Sequence, residues 1–185
     1  MEIVLATSNS HKLREFREML QDLEVSIISL DSFSELPEII EDGNTFAENA
    51  LKKARTIAGH TGRITIADDS GLEVDHLGGR PGIHSARFAG EDADDEKNNE
   101  KLLRALDGAP KEKRGAQFTC FIALVDPDGQ ERVVQGSYRG IILTEYRGAH
   151  GFGYDPLFLD EVSDLTFSEM TGEQKNKVSH RSRAI

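Results

Sequence analysis

Residues 2–7, EIVLAT, form a short apolar run of β-formers, and after the polar stretch SNSHK the residues Leu13, Phe16 and Leu20 recur at helical spacing. The order is strand, loop, helix. A second β-rich run over 25–30 closes a βαβ-like opening, which favours a parallel pair joined by a right-handed crossover. Over 45–58, Phe46, Ala50, Ala54 and Ile57 share one helical face, and Thr45 with Glu48 has the capping-box spacing, so a helix is expected there, ending near Gly59. Next come a strand over 64–67, a polar turn DDSG and a strand over 72–74. Residues 93–106 predict an amphipathic helix with Leu102, Leu103 and Leu106 inward and a solvated charged face. From 116 to 125 nearly every side chain is apolar or small, as in a strand buried on both faces, and DPDG then turns the chain into a second long strand through Val133 and Val134. A Gly- and aromatic-rich loop, GAHGFGYDP, leads to a polar segment over 168–185 that reads as helical. Crossovers mixed with hairpins give an α/β protein with a mixed central sheet and flanking helices. Without repeats or a linker, 185 residues read as one domain over 1–185.

Composition narrows the function classes. Twenty-two Lys and Arg against 33 Asp and Glu leave a net charge of −11, a surface that repels a polyphosphate backbone, so no nucleic-acid partner is expected. The single cysteine, Cys120, lies inside an apolar run, which argues against a disulfide framework or a cysteine-based zinc site. The N-terminal MEIVLATSN has neither the basic segment nor the apolar length of a signal peptide, and no run approaches membrane-spanning length, so the expected location is cytoplasmic with no membrane partner.

Four polar segments fall where strands end, the place where open α/β sheets bind ligands. Thr7, Ser8, Asn9, Ser10, His11 and Lys12 lead from a strand into a helix, where free N–H groups, a positive helix end and a lysine suit a phosphate; plain capping by Asn9 or Ser10 with a solvated lysine is the competing reading. Asp68 and Asp69, with Glu38, Glu41, Asp42 and Glu48 upstream, are costly to bury unless a cation neutralises them, and Mg²⁺ prefers such hard oxygens. Strand alternation lets only one of the two aspartates face a given site. In Gly151-Phe152-Gly153-Tyr154-Asp155-Pro156 the aromatics could stack on a base or join the core. Lys175, His180 and Arg181 cluster donors that could read a keto oxygen or a phosphate, or sit at a helix C-terminus for its dipole.

Taken in order, Thr7-Ser8-Asn9…Lys12, Thr45-Phe46-x-Glu48-Asn49-Ala50, Ala67-Asp68-Asp69-Ser70-Gly71-Leu72, Pro81-Gly82…Ser85-Ala86-Arg87, Phe152-Gly153-Tyr154-Asp155-Pro156 and Ser179-His180-Arg181 resemble the inosine triphosphate pyrophosphatase family across almost the whole chain. The resemblance implies a homodimer whose elongated mixed α/β fold has two lobes around a central cleft. It implies Mg²⁺-dependent hydrolysis of inosine, deoxyinosine and xanthosine triphosphates to monophosphate and pyrophosphate, cleaning the nucleotide pool. Carried over by position, Thr7 to Lys12 grip the phosphates, partly through N–H groups at Ser8, Ser10 and His11. Asp69 is the catalytic base and, with Glu41, a metal ligand, while Glu38 and Glu48 compete for that second role. Ser70 touches substrate, Phe152, Gly153, Tyr154 and Asp155 form the base and sugar pocket, and Lys175, His180 and Arg181 read the 6-oxo edge. His11 stands where relatives often carry Gly. A septum-inhibitor-like nucleotide pyrophosphatase and a non-enzymatic nucleotide sensor are the alternatives.

Overall fold

The computed structural model describes all 185 residues, Met1–Ile185. Seven strands form one sheet in the order β2-β1-β3-β4-β5-β6-β7, with β1 Glu2–Leu5, β2 Ser26–Ser29, β3 Thr65–Val74, β4 Gly115–Val125, β5 Glu131–Ile142, β6 Phe158–Asp160 and β7 Leu165–Thr166. Four α-helices accompany them: α1 Ser10–Met19, α2 Phe46–Thr61, α3 Asp95–Ala105 and α4 Gly172–Val178. β1 lies parallel to β2 and to β3, whereas β5 with β6 and β6 with β7 are antiparallel, so the sheet is mixed, as the alternation of crossovers and hairpins predicts. The chain divides into two compact units: Met1–Asp69, Cys120–Gly136 and Ala184–Ile185 form the first, and Ser70–Thr119 with Ser137–Arg183 form the second.

The first unit is a sheet with a helix on each face, and strand alternation assigns the residues. Ile3, Leu5, Ile66, Cys120 and Ile122 point to the face that packs on Phe16 of α1 and on its C-cap Leu20. Their neighbours Val4, Ala6, Ala67, Ala123 and Val125 point to the other face, against Ala50, Ala54, Ile57 and Ala58 of α2. The small residues on this second face let α2 lie close to the strands, while fully buried Phe16 alone contributes about 1.5–3 kcal/mol on the α1 side. Cys120 is buried within this packing and forms no disulfide.

In the second unit, Leu72, Val74, Ala116, Phe118, Tyr138 and Ile142 from the strands meet Leu102 of α3, its C-cap Leu106 and the loop residues Tyr154, Leu157 and Phe167. Phe118 anchors this core: its ring lies 4.7 Å from Phe158, 5.8 Å from Phe167 and 4.8 Å from His180, the last two stacked nearly parallel to it.

Four local expectations need correction. DDSG is no turn: β3 runs unbroken through it, because both aspartates find cationic or amide partners and the ladder need not stop. Helix α2 passes Gly59 and ends at Gly62, whose left-handed φ of 64° lets its N–H close on Ala58 O. Its N-terminus is capped by Thr45, but Glu48 bonds the N–H of Asn44 where a reciprocal box would use Thr45. Over 168–185 only α4 is α-helical, opened by a full Thr171/Gln174 box and ended by extended Ser179.

Candidate active site

The alternation that sorts the core also sorts the two aspartates. Asp68 follows Ala67 on β3 and so shares a face with Ile66, toward α1, where its Oδ2 lies 2.9 Å from Lys12 Nζ. Asp69 shares the face of Ala67, toward α2, where Asn49 Nδ2 donates to its Oδ2 at 3.1 Å and Lys53 Nζ reaches its Oδ1 at 3.5 Å. Asn49 and Lys53 are four residues apart and therefore on one side of α2. Lys53 Nζ also donates to Glu41 Oε2 at 3.1 Å, so one ammonium group joins Glu41 to Asp69. Asn49 binds the same acidic loop, accepting the Gly43 N–H on Oδ1 at 2.8 Å; a side chain at 43 would strike that amide. With its oxygen on Gly43 and its nitrogen on Asp69, the Asn49 amide can sit only one way round.

Burial lifts the Asp69 carboxyl above the ordinary carboxylate range; the ammonium groups of Lys53 and Lys12 and the Asn49 bond pull it down, Glu41 pushes it further up, and the net direction is upward. Burial alone would lower the Lys53 ammonium, but the carboxylates of Asp69, Asp68 and Glu41 together outweigh it and raise its pKa. The result is a buried carboxylate, more basic than usual, beside a firmly charged lysine. Glu48 is spent on the Asn44 N–H, whereas Glu41 is the glutamate that shares a cation with Asp69. Two carboxylates gathered around one positive charge are a donor set that suits Mg²⁺, which takes few protein oxygens and completes its shell with water and phosphate.

Thr7 to Lys12 enter α1 by internal capping. Asn9 Oδ1 accepts the N–H groups of His11 at 2.9 Å and Lys12 at 3.1 Å, and Thr7 Oγ1 accepts the Asn9 N–H at 3.2 Å. The expected phosphate contact through the His11 N–H is thus taken by the cap. Nor is Lys12 solvated: its pairing with fully buried Asp68 holds the ammonium at the start of α1.

The second unit carries the aromatic loop and the C-terminal donors. Asp155 Oδ2 accepts the Phe152 N–H at 3.0 Å and Lys175 Nζ at 2.6 Å, and a Cβ at Gly151, where φ is 80°, would collide with that carboxylate. Lys175 Nζ stands 4.8 Å from the centre of the Phe152 ring. Tyr154 belongs to the core, with its hydroxyl on Ser85 O at 2.8 Å, whereas Phe152 is not among the core residues. Ser85 in turn accepts the Leu72 N–H on Oγ at 2.8 Å. His180 lies buried on Phe118, and Arg181, 1% exposed, donates to Ser70 Oγ at 3.1 Å.

Residues 3–185 match the family model described as the Ham1 family. This chain belongs to the Ham1 family. It is 49% identical to the dITP/XTP pyrophosphatase of Desulforamulus reducens over 185 residues, covering 100% of this chain and 92% of that protein. It is similar to the solved HAM1 protein from Coxiella burnetii, with TM-score 0.89, 44% identity and coverage of 100% and 94%. The Staphylococcus aureus Ham1 protein superposes with TM-score 0.87 at 41% identity and the same coverage. In this Ham1 chain Asn49 and Lys53 order the carboxylates of the first unit, and Asp95 and Asn99 hold the aromatic loop of the second; of the four, the sequence singles out only Asn49, as part of a motif and with no role. Each pair has i, i+4 spacing beside an apolar stripe on its helix, a signal that a solvated polar border produces equally well.

Proposed function

We propose that this chain hydrolyses deaminated purine nucleoside triphosphates, dITP and XTP among them and ITP by the same base chemistry, to the monophosphate and pyrophosphate. The observation that carries the proposal is Asp69: a buried carboxylate with a raised pKa, oriented by Asn49 and linked through Lys53 to Glu41. Relatives about half identical over nearly their full length carry the name dITP/XTP pyrophosphatase, which supports the same reading.

In this proposal Asp69 accepts a proton from the attacking water as the water oxygen bonds the α phosphorus, and the α–β bridging P–O bond breaks with its electron pair leaving on pyrophosphate. The raised pKa makes Asp69 a better proton acceptor than an exposed aspartate. Lys53, and Lys12 with the Thr7–Lys12 turn that carries it, including Ser8 and Ser10, would offset charge on the phosphates. Glu41 and Asp69 would hold a Mg²⁺ ion, which when bound supplies Lewis-acid charge at phosphate oxygens. Phe152 offers a ring to the base, and Lys175, His180 and Arg181 offer donors to a 6-oxo group. The amino group of adenine would leave such donors unpaired, at about 1–3 kcal/mol each.

The test is incubation with inosine, deoxyinosine, xanthosine, guanosine and adenosine triphosphates, with Mg²⁺ and with chelator, and identification of the phosphate product. Pyrophosphate from the deaminated purines, lost with chelator, is expected; orthophosphate as first product would overturn the bond assignment. Asp69→Asn should retain the fold and lose at least about a hundredfold in turnover, the scale of a general base. Binding without turnover in the unmodified protein would instead make it a sensor.

A further inference from the structure

Helix α3 does more than close the core. Its outward residue Asp95 accepts the Gly153 N–H on Oδ2 at 2.6 Å, and one turn later Asn99 donates Nδ2 to the Gly153 carbonyl at 2.8 Å. Both peptide groups flanking Gly153 are therefore held by the same helix, with the glycine at φ 60°. Asn98, beside them, holds the neighbouring loop, accepting the Ala89 N–H at 2.8 Å and donating to Ala86 O at 3.0 Å. That loop carries Ser85, whose carbonyl receives the Tyr154 hydroxyl. Asn99 is 2% exposed, and its Oδ1 is buried with no hydrogen-bond partner. An unpaired buried acceptor is costly, and a leucine of similar size would avoid the cost, so packing does not explain an asparagine here. The Gly153 contact does.

We propose that Asp95 and Asn99 are positioning residues for base recognition: they clamp Gly153 and so fix the ring of Phe152 and the carboxylate of Asp155 on either side of it. The inference rests on the assignment of residues 152–155 to the base. The clamp touches the loop alone, so it sets affinity for the base and leaves the phosphate chemistry unchanged. Asn99→Asp keeps the shape and removes the donor; Asp95→Ala removes the acceptor, whereas Asp95→Asn keeps an oxygen that can still accept.

The experiment measures binding of inosine monophosphate and of inorganic tripolyphosphate, and kcat and KM for inosine triphosphate, in the full chain and these three variants. Asn99→Asp and Asp95→Ala should each weaken monophosphate binding and raise KM about five- to tenfold, with kcat within about twofold and tripolyphosphate affinity unchanged, the effect of one hydrogen bond lost in binding. Asp95→Asn should restore affinity. Unchanged monophosphate affinity in both disrupting variants would overturn the proposal, as would a parallel loss of tripolyphosphate binding, the mark of general loosening. If Asn99→Asp does not fold, the Asp95 pair decides the question. Failure of the activity itself would show separately, as unmodified protein releasing no pyrophosphate.

Discussion

At the residue scale, Lys53 bears the most electrostatic weight. It is a buried ammonium between Glu41 and Asp69, with Asp68 adding to its field. Removing one partner of a buried charge cluster leaves the others uncompensated, so Lys53→Met should cost about 3 kcal/mol in urea unfolding at neutral pH. The signs of the two shifts make this pH-dependent. Asp69 has its pKa raised, so its ionised form is the disfavoured one in the fold, and stability falls as pH rises from the ordinary carboxylate value through the raised one. Lys53, raised too, contributes stability that is present below the ordinary lysine range and lost as pH climbs through its higher value. In Lys53→Met the carboxylates lose their cation and protonate more readily, so the deficit should shrink at mildly acid pH. An equal deficit at both pH values would contradict the coupling. Asp68 and Asp69 also show the reach of sequence reasoning at this scale: alternation alone separates their faces, but which face holds α1 and which α2 is a tertiary fact.

At the scale of elements, the end of α2 discriminates between two glycines that look equivalent in sequence. Gly59 is exposed inside the helix with no atoms near a Cβ, whereas Gly62 holds the left-handed conformation that ends it. Gly59→Ala should raise the melting temperature through about 0.4–1 kcal/mol, by helix propensity and lower unfolded-state entropy, and Gly62→Ala should lower it through about 1 kcal/mol. The same sign for both would mean that the helix stops earlier. Periodicity places the core stripes of α1, α2 and α3 well because 3.6-residue spacing is a local property. It misplaces the ends, and it takes DDSG for a turn, because a run of polar residues can continue a strand only when partners distant in sequence satisfy it.

For the whole molecule, the net charge of −11 makes rising pH doubly unfavourable, since it adds charge of the sign already in excess. All three tyrosines have raised pKa values; burial, followed by the hydrogen bond to Asp160, pushes Tyr138 up to about 12. Because the fold favours the neutral phenol, this stability is complete below the ordinary value of 10.0 and is lost as pH rises through about 12. The phenolate absorbance of buried Tyr138 and Tyr154 should thus appear late and together with unfolding, and Tyr138→Phe should flatten the alkaline loss while costing about 1 kcal/mol at neutral pH. Phenolate formation by either at its ordinary pH, ahead of unfolding, would contradict this. The sequence by itself determined the α/β class, the parallel opening, the core stripes, the buried thiol and the segments where polar residues gather, since each follows from spacing along the chain. Only the tertiary structure decided that Glu41 and Asp69 share Lys53, that Tyr154 turns into the core and that α3 grips Gly153. Those are pairings between residues up to 69 positions apart, and a hydrogen bond or ion pair depends on distance in space, which one-dimensional spacing does not contain.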